Sequence, residues 1–378
     1  MSEHFISSTR QLIQQINLSK GITSIVNKVV KGDRISLADA ELLYNDAELG
    51  LLGVLATHVA ERINGKSVLF NRNFHIEPTN ICLHSCSFCS YRRSEGEDGA
   101  WLLSLNEIAE QVRNSMDKQA TEVHITGGVH PQWDVDYYCE MVRAIKRVNP
   151  SIHVKAFSAV ELDYAIAKSG LTLQQGIREL KRCGLDSIPG GGAEIANSEL
   201  RQAICGSKTS WSRWLEVHET AHSEGLTSNA TMLYGHMESY AHRVEHMNDI
   251  RKLQDKTGGF NCFIPLKFKA QNNSMSHIGE VSTVEDMKNF AVARIFLDNV
   301  PHLKAYWPML GKSAASLALG FGVDDLDGTI DDSTKIYSMA GAEDQSPSMS
   351  IDEICSTIRS VAKNPIERDS LYNHLKVY

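Results

Sequence analysis

The chain has 378 residues, of which 42% are hydrophobic and 22% are charged, a balance typical of a globular protein large enough for one barrel or two smaller domains. Its formal net charge of -8 argues against nucleic acid or an anionic membrane as a partner, because either favours a basic surface. The first residues lack a basic leader followed by an apolar core, and no apolar run approaches the roughly 20 residues of a membrane helix. We therefore expect a cytoplasmic protein with a small-molecule partner and with no nucleic-acid or membrane contact.

The sequence predicts a helical segment over residues 1–66, before the residues that are candidates for a functional site. Ser36 followed by Asp39 is a capping-box pattern, which marks the start of a helix. Apolar residues then recur at helical spacing over 49–63, and Gly65 supplies a C-terminal stop.

From residue 73 onward, strand-like runs alternate with helical periodicity, as in 104–117 and 210–224, which predicts a parallel sheet with crossover helices. The eight runs are "NFHIEPT" at 73, "TEVHIT" at 121, "IHVKAF" at 152, "LDSIP" at 185, "TSNATML" at 227, "FNCFIPL" at 260, "HLKAYW" at 302 and "LGFGV" at 319. The pattern predicts an α/β fold, a (β/α)8 TIM-type barrel over 67–330 with a helical C-terminal extension over 331–378. A partial barrel of six strands is the alternative, because the runs at 185 and 319 are short.

The loop "ICLHSCSFCS", residues 81–90, directly follows the first predicted strand and contains Cys82, Cys86 and Cys89. The C-terminal edge of the strands is the functional end of such a barrel. A structural zinc ion or a closed iron-sulfur cluster normally takes four protein ligands, so three thiols predict a metal site with one open position. The alternative is a set of core cysteines or an incomplete zinc knuckle. Cys139, Cys183 and Cys355 are expected to be small core residues, whereas the pattern assigns no place to Cys205 and Cys262.

This loop, with Phe88 before its third cysteine, resembles the signature of the radical S-adenosylmethionine (SAM) enzymes. The resemblance implies that Cys82, Cys86 and Cys89 bind a [4Fe-4S] cluster whose open iron chelates SAM. Reduction of the cluster, by an external electron donor such as flavodoxin or ferredoxin, then releases a 5′-deoxyadenosyl radical.

The same resemblance implies the residues that bind SAM. Gly127 and Gly128 would present backbone to the methionine amino group, with a simple turn as the alternative. Ser158 and Glu161, just after the third predicted strand, are candidates for holding the ribose hydroxyls, with helix N-capping by Ser158 as the alternative. Tyr91, the residue that ends the cysteine signature, is a further candidate for contact with the cofactor.

The resemblance covers nearly the whole chain through "IEPTNIC", "ITGGVHP", "LDSIPGGGAEI" and "NATMLYGHME". These motifs are similar to the futalosine-pathway branch of menaquinone biosynthesis, which contains the aminofutalosine synthases and the dehypoxanthine futalosine cyclases, with deazaflavin synthases as cousins. "FIPLKFKAQN" and "VDDLDGT" resemble the synthases most, although Asp324 stands where that pattern favours Asn.

The synthase resemblance implies a radical SAM transferase that acts on 3-[(1-carboxyvinyl)oxy]benzoate, a small dicarboxylate. The deoxyadenosyl radical adds to the enol ether, the aryl group migrates and bicarbonate leaves, giving 6-amino-6-deoxyfutalosine. The first alternative is the cyclase reaction, in which the radical abstracts hydrogen and a ring closes. A cluster carrier is a second alternative, but a carrier needs no deep pocket.

Period-two alternation along the predicted strands directs a set of charged side chains into the barrel. Lys155 on the third strand and Lys304 on the seventh are the candidates for binding the substrate carboxylates. The alternative is a closed network of these lysines with Glu77 and Glu122, because a buried charge must be paired. His236, after the fifth strand, is a further catalytic candidate. Other basic residues at strand ends are Lys267 and Arg243.

Overall fold

The computed structural model describes residues 18–330, 335–342 and 347–378. Its first elements are three helices, α1 (Lys20–Lys31), α2 (Leu37–Asp46) and α3 (Leu49–Asn64). Ser36 and Asp39 form the expected capping box at the start of α2, and Gly65 follows the end of α3. The predicted helical segment is therefore confirmed over its described part, and residues 1–17 lie outside that part.

The strands form two sheets. Their bounds are β1 Ser67–Asn71, β2 Asn73–Ile76, β3 Glu122–Ile125, β4 His153–Ala156, β5 Ser187–Ile188, β6 Thr227–Tyr234, β7 Phe260–Lys267, β8 His302–Leu303, β9 Asp325–Gly328, β10 Asn364–Arg368 and β11 His374–Val377. In the larger sheet β2 to β8 follow one another in chain order, and each neighbouring pair is parallel. All their C-terminal ends therefore lie at one edge.

The remaining described helices lie between the strands of the larger sheet or after them in the chain. Their bounds are α4 Leu105–Met116, α5 Val135–Val148, α6 Ala159–Lys168, α7 Leu173–Cys183, α8 Ser198–Cys205, α9 Trp211–Ser223, α10 Tyr240–Thr257, α11 Thr283–Phe296, α12 Trp307–Leu310, α13 Lys312–Ala318, α14 Ile336–Met339 and α15 Ile351–Ser360. None of the described helices is both long and apolar enough to cross a bilayer. The alternation of strands and helices gives a curled partial (β/α) barrel.

Seven of the eight predicted strands are confirmed, and the eighth is wrong. "LGFGV" forms a 3-10 turn, Leu319–Phe321, that ends at Gly322 in the left-handed region with φ +90°. A Cβ at Gly322 would come within 2.7 Å of the Arg294 side chain, so the chain turns here because α11 lies directly against it. The chain next forms β9, which is joined to the barrel by a parallel bridge between Lys304 and Asp325 and by the ion pair of Lys304 with Asp327.

The second sheet has the order β11-β10-β1-β9, and the sequence did not predict it. β1 pairs in parallel with both β9 and β10, and β11 is antiparallel to β10. Over 331–378, where the sequence predicts a helical extension, the described residues contain helices, and helix α15 is followed by two strands. Pro365 in β10 disfavours a strand in sequence terms, whereas the tertiary pairing with β1 imposes one. Arg368 at the end of β10 donates to Asp325 of β9 through Nε at 2.8 Å in the buried interior.

Asp324, the residue that departs from the synthase pattern, also has a structural role. Its carboxylate is buried and accepts hydrogen bonds from Arg294 Nη2 at 2.5 Å and from the Leu303 backbone N–H at 2.7 Å. Burial raises the pKa of Asp324, but Arg294, His302 and the Leu303 N–H together outweigh burial and the pKa lies below its ordinary value. The departure therefore gives Arg294 a charged partner where the main sheet meets the second one.

Buried ion pairs fill the barrel interior. Lys155 Nζ lies 2.6 Å from Glu122 Oε2, and their side chains are 4% and 2% exposed. Lys304 forms a similar buried pair with Asp327. Burial raises the pKa of Glu122, but the attraction of Lys155 and of the other positive charges around it together outweigh burial and hold that pKa well below its ordinary value. Glu77 takes no part in these pairs and accepts hydrogen bonds from the backbone N–H groups of residues 335 and 336.

We expect Lys155→Met to destabilise the fold by about 3–5 kcal/mol, because it leaves Glu122 charged and buried without its partner. Urea unfolding followed by circular dichroism measures this change as a lower midpoint. The matched control is Arg113→Met, which removes an exposed pair with Glu110 and should change the stability by less than about 1 kcal/mol. Equal midpoints for the two variants would contradict the assignment.

Candidate active site

The cysteine loop lies at the C-terminal edge of the barrel, held by backbone hydrogen bonds on several sides. Leu83 N–H donates to Val129 O at 3.0 Å and Ser87 N–H donates to Ile204 O at 2.8 Å. Cys82, Cys86 and Cys89 are all free thiols of intermediate exposure. The structure therefore brings the three predicted metal ligands to one loop facing the open end of the barrel.

The surroundings of these thiols are partly electropositive. Val129 N–H donates to Cys82 Sγ at 3.3 Å. Burial raises the pKa of Cys86 to about 12, and the positive charge of Lys208 opposes that rise. Lys208 Nζ lies 2.6 Å from Glu194 Oε1 and 5.3 Å from the centre of the Phe88 ring. The sequence did not predict Lys208 and Glu194 as site residues, because nothing in their local pattern places them beside the loop.

The three loop thiols do not converge as closely as the ligands of a single metal ion do. A zinc ion with bonds of about 2.3 Å to sulfur brings its thiolates within about 4 Å of one another. Within the described part of the chain, the three loop cysteines do not form a group whose ligand atoms all lie within 4.8 Å. Three separated thiols on one loop suit the larger [4Fe-4S] core, in which each cysteine binds a different iron.

The glycine pair after β3 packs against the chain that leads into the cysteine loop. Gly128 N–H donates to Thr79 O at 2.8 Å. A Cβ at Gly128 would lie 2.3 Å from Ile81 O, and one at Gly127 would lie 2.8 Å from Thr79 O. Both positions therefore require glycine for close backbone approach, which goes beyond the simple turn considered from the sequence. Their contact with SAM stays a prediction.

Ser158 and Glu161 form a buried capping box at the start of α6. Glu161 Oε2 accepts from Ser158 N at 2.7 Å and from Ser158 Oγ at 2.6 Å. Burial raises the pKa of Glu161 to about 7, although hydrogen bonds from Ser158 and from the Gly127 backbone oppose the rise. Phe157, directly before the cap, has a φ of +59°, which is strained for a residue with a Cβ. The N-capping alternative thus describes Ser158 here, and a role toward ribose stays a prediction.

The remaining candidates do not all line one cavity. Tyr91 is buried, its hydroxyl donates to Thr79 O at 3.1 Å, and it lines a cavity beside the loop. His236 has a fully buried side chain next to Glu238, at 3.3 Å, and burial lowers its pKa. Lys155 and Lys304 lie deeper in their ion pairs. Of these four residues, only Tyr91 lines the cavity.

This inner cavity, of about 150 Å³, separates the cysteine loop from the ends of β6 and β7. Its walls are residues 88–91 on one side and 266–269 on the other, completed by Glu194, Leu233, Met309, Ile336 and Ala340. An outer cavity of about 710 Å³ shares Lys267, Lys269 and Met309 with it.

Two lysines stand at the wall shared by the two cavities. Lys267 Nζ lies 2.9 Å from Asp286 Oδ2, and Lys269 Nζ lies 2.9 Å from Glu280 Oε2. Lys267 was a secondary candidate from the sequence and Lys269 was missed. The sequence feature that indicates Lys269 is its spacing of two residues from Lys267. Side chains two residues apart in an extended chain lie on the same side.

Two family models match the chain. The radical SAM superfamily matches residues 76–250, and the CofH/MqnC C-terminal region matches residues 257–378. The cysteine loop and the glycine pair lie in the first match, and Lys267 and Lys269 lie in the second. The inner cavity therefore lies where the two matched regions meet.

Two relatives and one solved structure extend these matches. Aminodeoxyfutalosine synthase of Thermus thermophilus is 39% identical over 358 residues, which cover 94% of this chain and 96% of the relative. Cyclic dehypoxanthine futalosine synthase of Streptomyces coelicolor is 35% identical over 360 residues, covering 94% and 89%. The FeFe-hydrogenase maturase HydG from Carboxydothermus hydrogenoformans superposes with a TM-score of 0.72 at 21% identity, over 98% of this chain and 86% of that one, which is a similarity of fold.

We expect the anaerobically reconstituted protein to bind about four irons per chain, and Cys82→Ala, Cys86→Ala and Cys89→Ala each to lose the cluster. Iron analysis and the visible absorption of the cluster measure this. The control is Cys355→Ala, a buried thiol on α15, which should keep both. A full cluster in any of the three loop variants would show that the ligand set is wrong.

Proposed function

Because the chain belongs to the radical SAM superfamily, in the branch that carries the CofH/MqnC C-terminal region, we propose that it catalyses the reaction of the aminofutalosine synthases. In that reaction the adenosyl group of SAM is joined to 3-[(1-carboxyvinyl)oxy]benzoate, the aryl group migrates and bicarbonate leaves. The product is 6-amino-6-deoxyfutalosine. The greater identity to the synthase relative, together with the motifs at 263–272 and 323–329, supports this reaction over that of the cyclases.

The observation that carries the proposal is the inner cavity between the cysteine loop and Lys267. Its wall includes the apolar side chains of Leu233, Leu266 and Met309, which suit a benzoate ring. Lys267 and Lys269 approach from one side, and two amines match a substrate with two carboxylates. The cavity is thus apolar where the ring would lie and cationic where the carboxylates would lie.

Cys82, Cys86 and Cys89 would hold the [4Fe-4S] cluster. When bound and reduced by an external donor such as flavodoxin or ferredoxin, the cluster supplies the electron that opens the sulfonium of SAM. Gly127 and Gly128 position the loop, because their packing against residues 79–81 sets where Cys82 begins.

The protein itself must keep hydrogen donors and water away from the reacting carbon. Among the described residues that line the inner cavity, the one thiol is Cys89, which would be bound to iron. The Tyr91 hydroxyl is engaged with Thr79 O, and its pKa is raised by burial, so it does not present a free O–H. The wall is therefore poor in groups that quench a radical.

The motifs that resemble the synthases lie around this cavity. The chain after β7 closes over the cysteine loop, because Ser90 Oγ donates to Gln271 O at 2.7 Å and Ser274 N–H donates to Ser87 O at 3.0 Å. On the other side, Trp307 Nε1 donates to Gly328 O at 2.9 Å. These contacts support a role for both motifs in shaping the substrate site.

We expect Lys269→Met to raise the KM for the dicarboxylate about 10- to 100-fold, since a lost charge-assisted hydrogen bond costs roughly 1.5–3 kcal/mol. Lys267→Met should raise the KM similarly. The melting temperature of this variant is measured as well, because Asp286 loses its ion-pair partner. The matched control is Lys312→Met, which lines only the outer cavity and donates to Ser348 O. An unchanged KM in Lys269→Met, or an equal rise in the control, would remove these lysines from the substrate site.

The fate of the adenosyl group tests the proposed reaction against that of the cyclases. Reduced enzyme is incubated with SAM labelled in its adenosyl carbons, with 3-[(1-carboxyvinyl)oxy]benzoate in one tube and dehypoxanthine futalosine in the other. We expect label in an adenine-containing product from the first tube, with bicarbonate released, because a synthase joins the adenosyl group covalently to its substrate. Turnover in the second tube alone, with the label in free 5′-deoxyadenosine, would identify a cyclase.

A further inference from the structure

A second thiol site lies outside the barrel, between α5 and α7. Cys139 of α5 and Cys183 at the end of α7 are buried, and Glu179 lies one helical turn before Cys183. Their two sulfur atoms and a carboxylate oxygen all lie within 4.8 Å of one another. In the part of the chain that the structure describes, no other three His, Cys, Asp or Glu side chains converge this closely.

These three residues take no part in the proposed reaction. None of them lines the inner or the outer cavity. Both thiols were expected to be small core residues, and a core role explains their burial. A core role does not explain why a carboxylate oxygen of Glu179 converges with both sulfur atoms.

The hydrogen bonds around the group show how it is held without an ion. Cys139 Sγ donates to the backbone O of Glu179 at 3.8 Å, and Cys183 Sγ donates to Glu179 Oε1 at 3.8 Å. The Glu179 side chain is 29% exposed, which leaves a route from solvent to the thiols.

We propose that Cys139, Glu179 and Cys183 bind a thiophilic divalent cation, with Zn²⁺ as the representative ion. Two thiolates and one carboxylate are a normal ligand set for zinc, and a water molecule completes the tetrahedron. Binding displaces one proton from each thiol into solvent, so the ion replaces two S–H groups with two metal–sulfur bonds.

The charges around Glu179 suit the loaded site. Two thiolates, one carboxylate and one divalent ion carry a net charge of about -1. Arg182 Nη2 lies 2.9 Å from the Glu179 carboxylate and Arg143 Nη2 lies 3.8 Å from it. These guanidinium groups would balance that charge and orient the carboxylate, as hydrogen-bonding partners of metal ligands do. The bound ion would join α5 to α7 and so stabilise the outer layer of the barrel.

The test measures zinc and iron together in the intact holoenzyme. The protein with its cluster is incubated with Zn²⁺, desalted and analysed for both metals, and we expect one zinc per chain beside the cluster iron. Cys139→Ser and Cys183→Ser should lose the zinc and keep the iron. The matched control Cys355→Ser, another buried thiol on a helix, should keep both metals.

A second measurement guards against misfolding and against zinc bound at the cysteine loop. In the Cys82→Ala/Cys86→Ala/Cys89→Ala background, Zn²⁺ should still bind and raise the melting temperature. Glu179→Gln, which keeps both thiols, should weaken zinc binding at least about 10-fold. The proposal is overturned if that background binds no zinc, or if Glu179→Gln and Cys183→Ser both bind zinc as tightly as their parent.

Discussion

The close approach of two backbones organises the active edge of this protein. Gly127 and Gly128 lie so near residues 79–81 that no side chain fits between them. That contact joins the end of β3 to the chain that enters the cysteine loop, and the next residue, Val129, donates its N–H to Cys82 Sγ. Glu161, at the start of α6, is held against the same glycine backbone. Three consecutive strand ends are thereby tied to the cysteine loop.

Charge is used differently at two depths of the barrel. Deep in the barrel, Lys155 and Lys304 each neutralise a buried carboxylate. Near the mouth, Lys267 and Lys269 pair with Asp286 and Glu280 beside two cavities. A paired lysine at a cavity wall can exchange its partner for a substrate carboxylate at less cost than one enclosed in the core, because water and ligand reach it. This difference in depth is why the proposed carboxylate contacts lie at the end of β7.

The elements that were predicted correctly have sequence patterns confined to neighbouring residues. The capping boxes of α2 and α4, the period-two runs of β2, β3 and β4, and the three-cysteine loop after β2 were all expected and are all present. The errors occur where partners distant in the chain decide the structure. "LGFGV" turns because α11 packs against Gly322, and the residues of β10 become a strand because β1 lies beside them. Neither constraint is visible in a short window of sequence.

By itself the sequence determined the fold class and the family and predicted three cysteine ligands, because cysteine spacing and strand–helix alternation are read from neighbouring residues. Only the tertiary structure decided which charges meet. It paired Lys155 with Glu122 and Lys304 with Asp327, placed Lys208 beside Cys86, and gathered Cys139, Glu179 and Cys183 from two helices. Period-two and helical patterns give the side on which a side chain lies. The partner of that side chain depends on how elements far apart in the chain pack together. A charge or a thiol interacts with groups a few ångströms away in space, whatever their separation in the sequence.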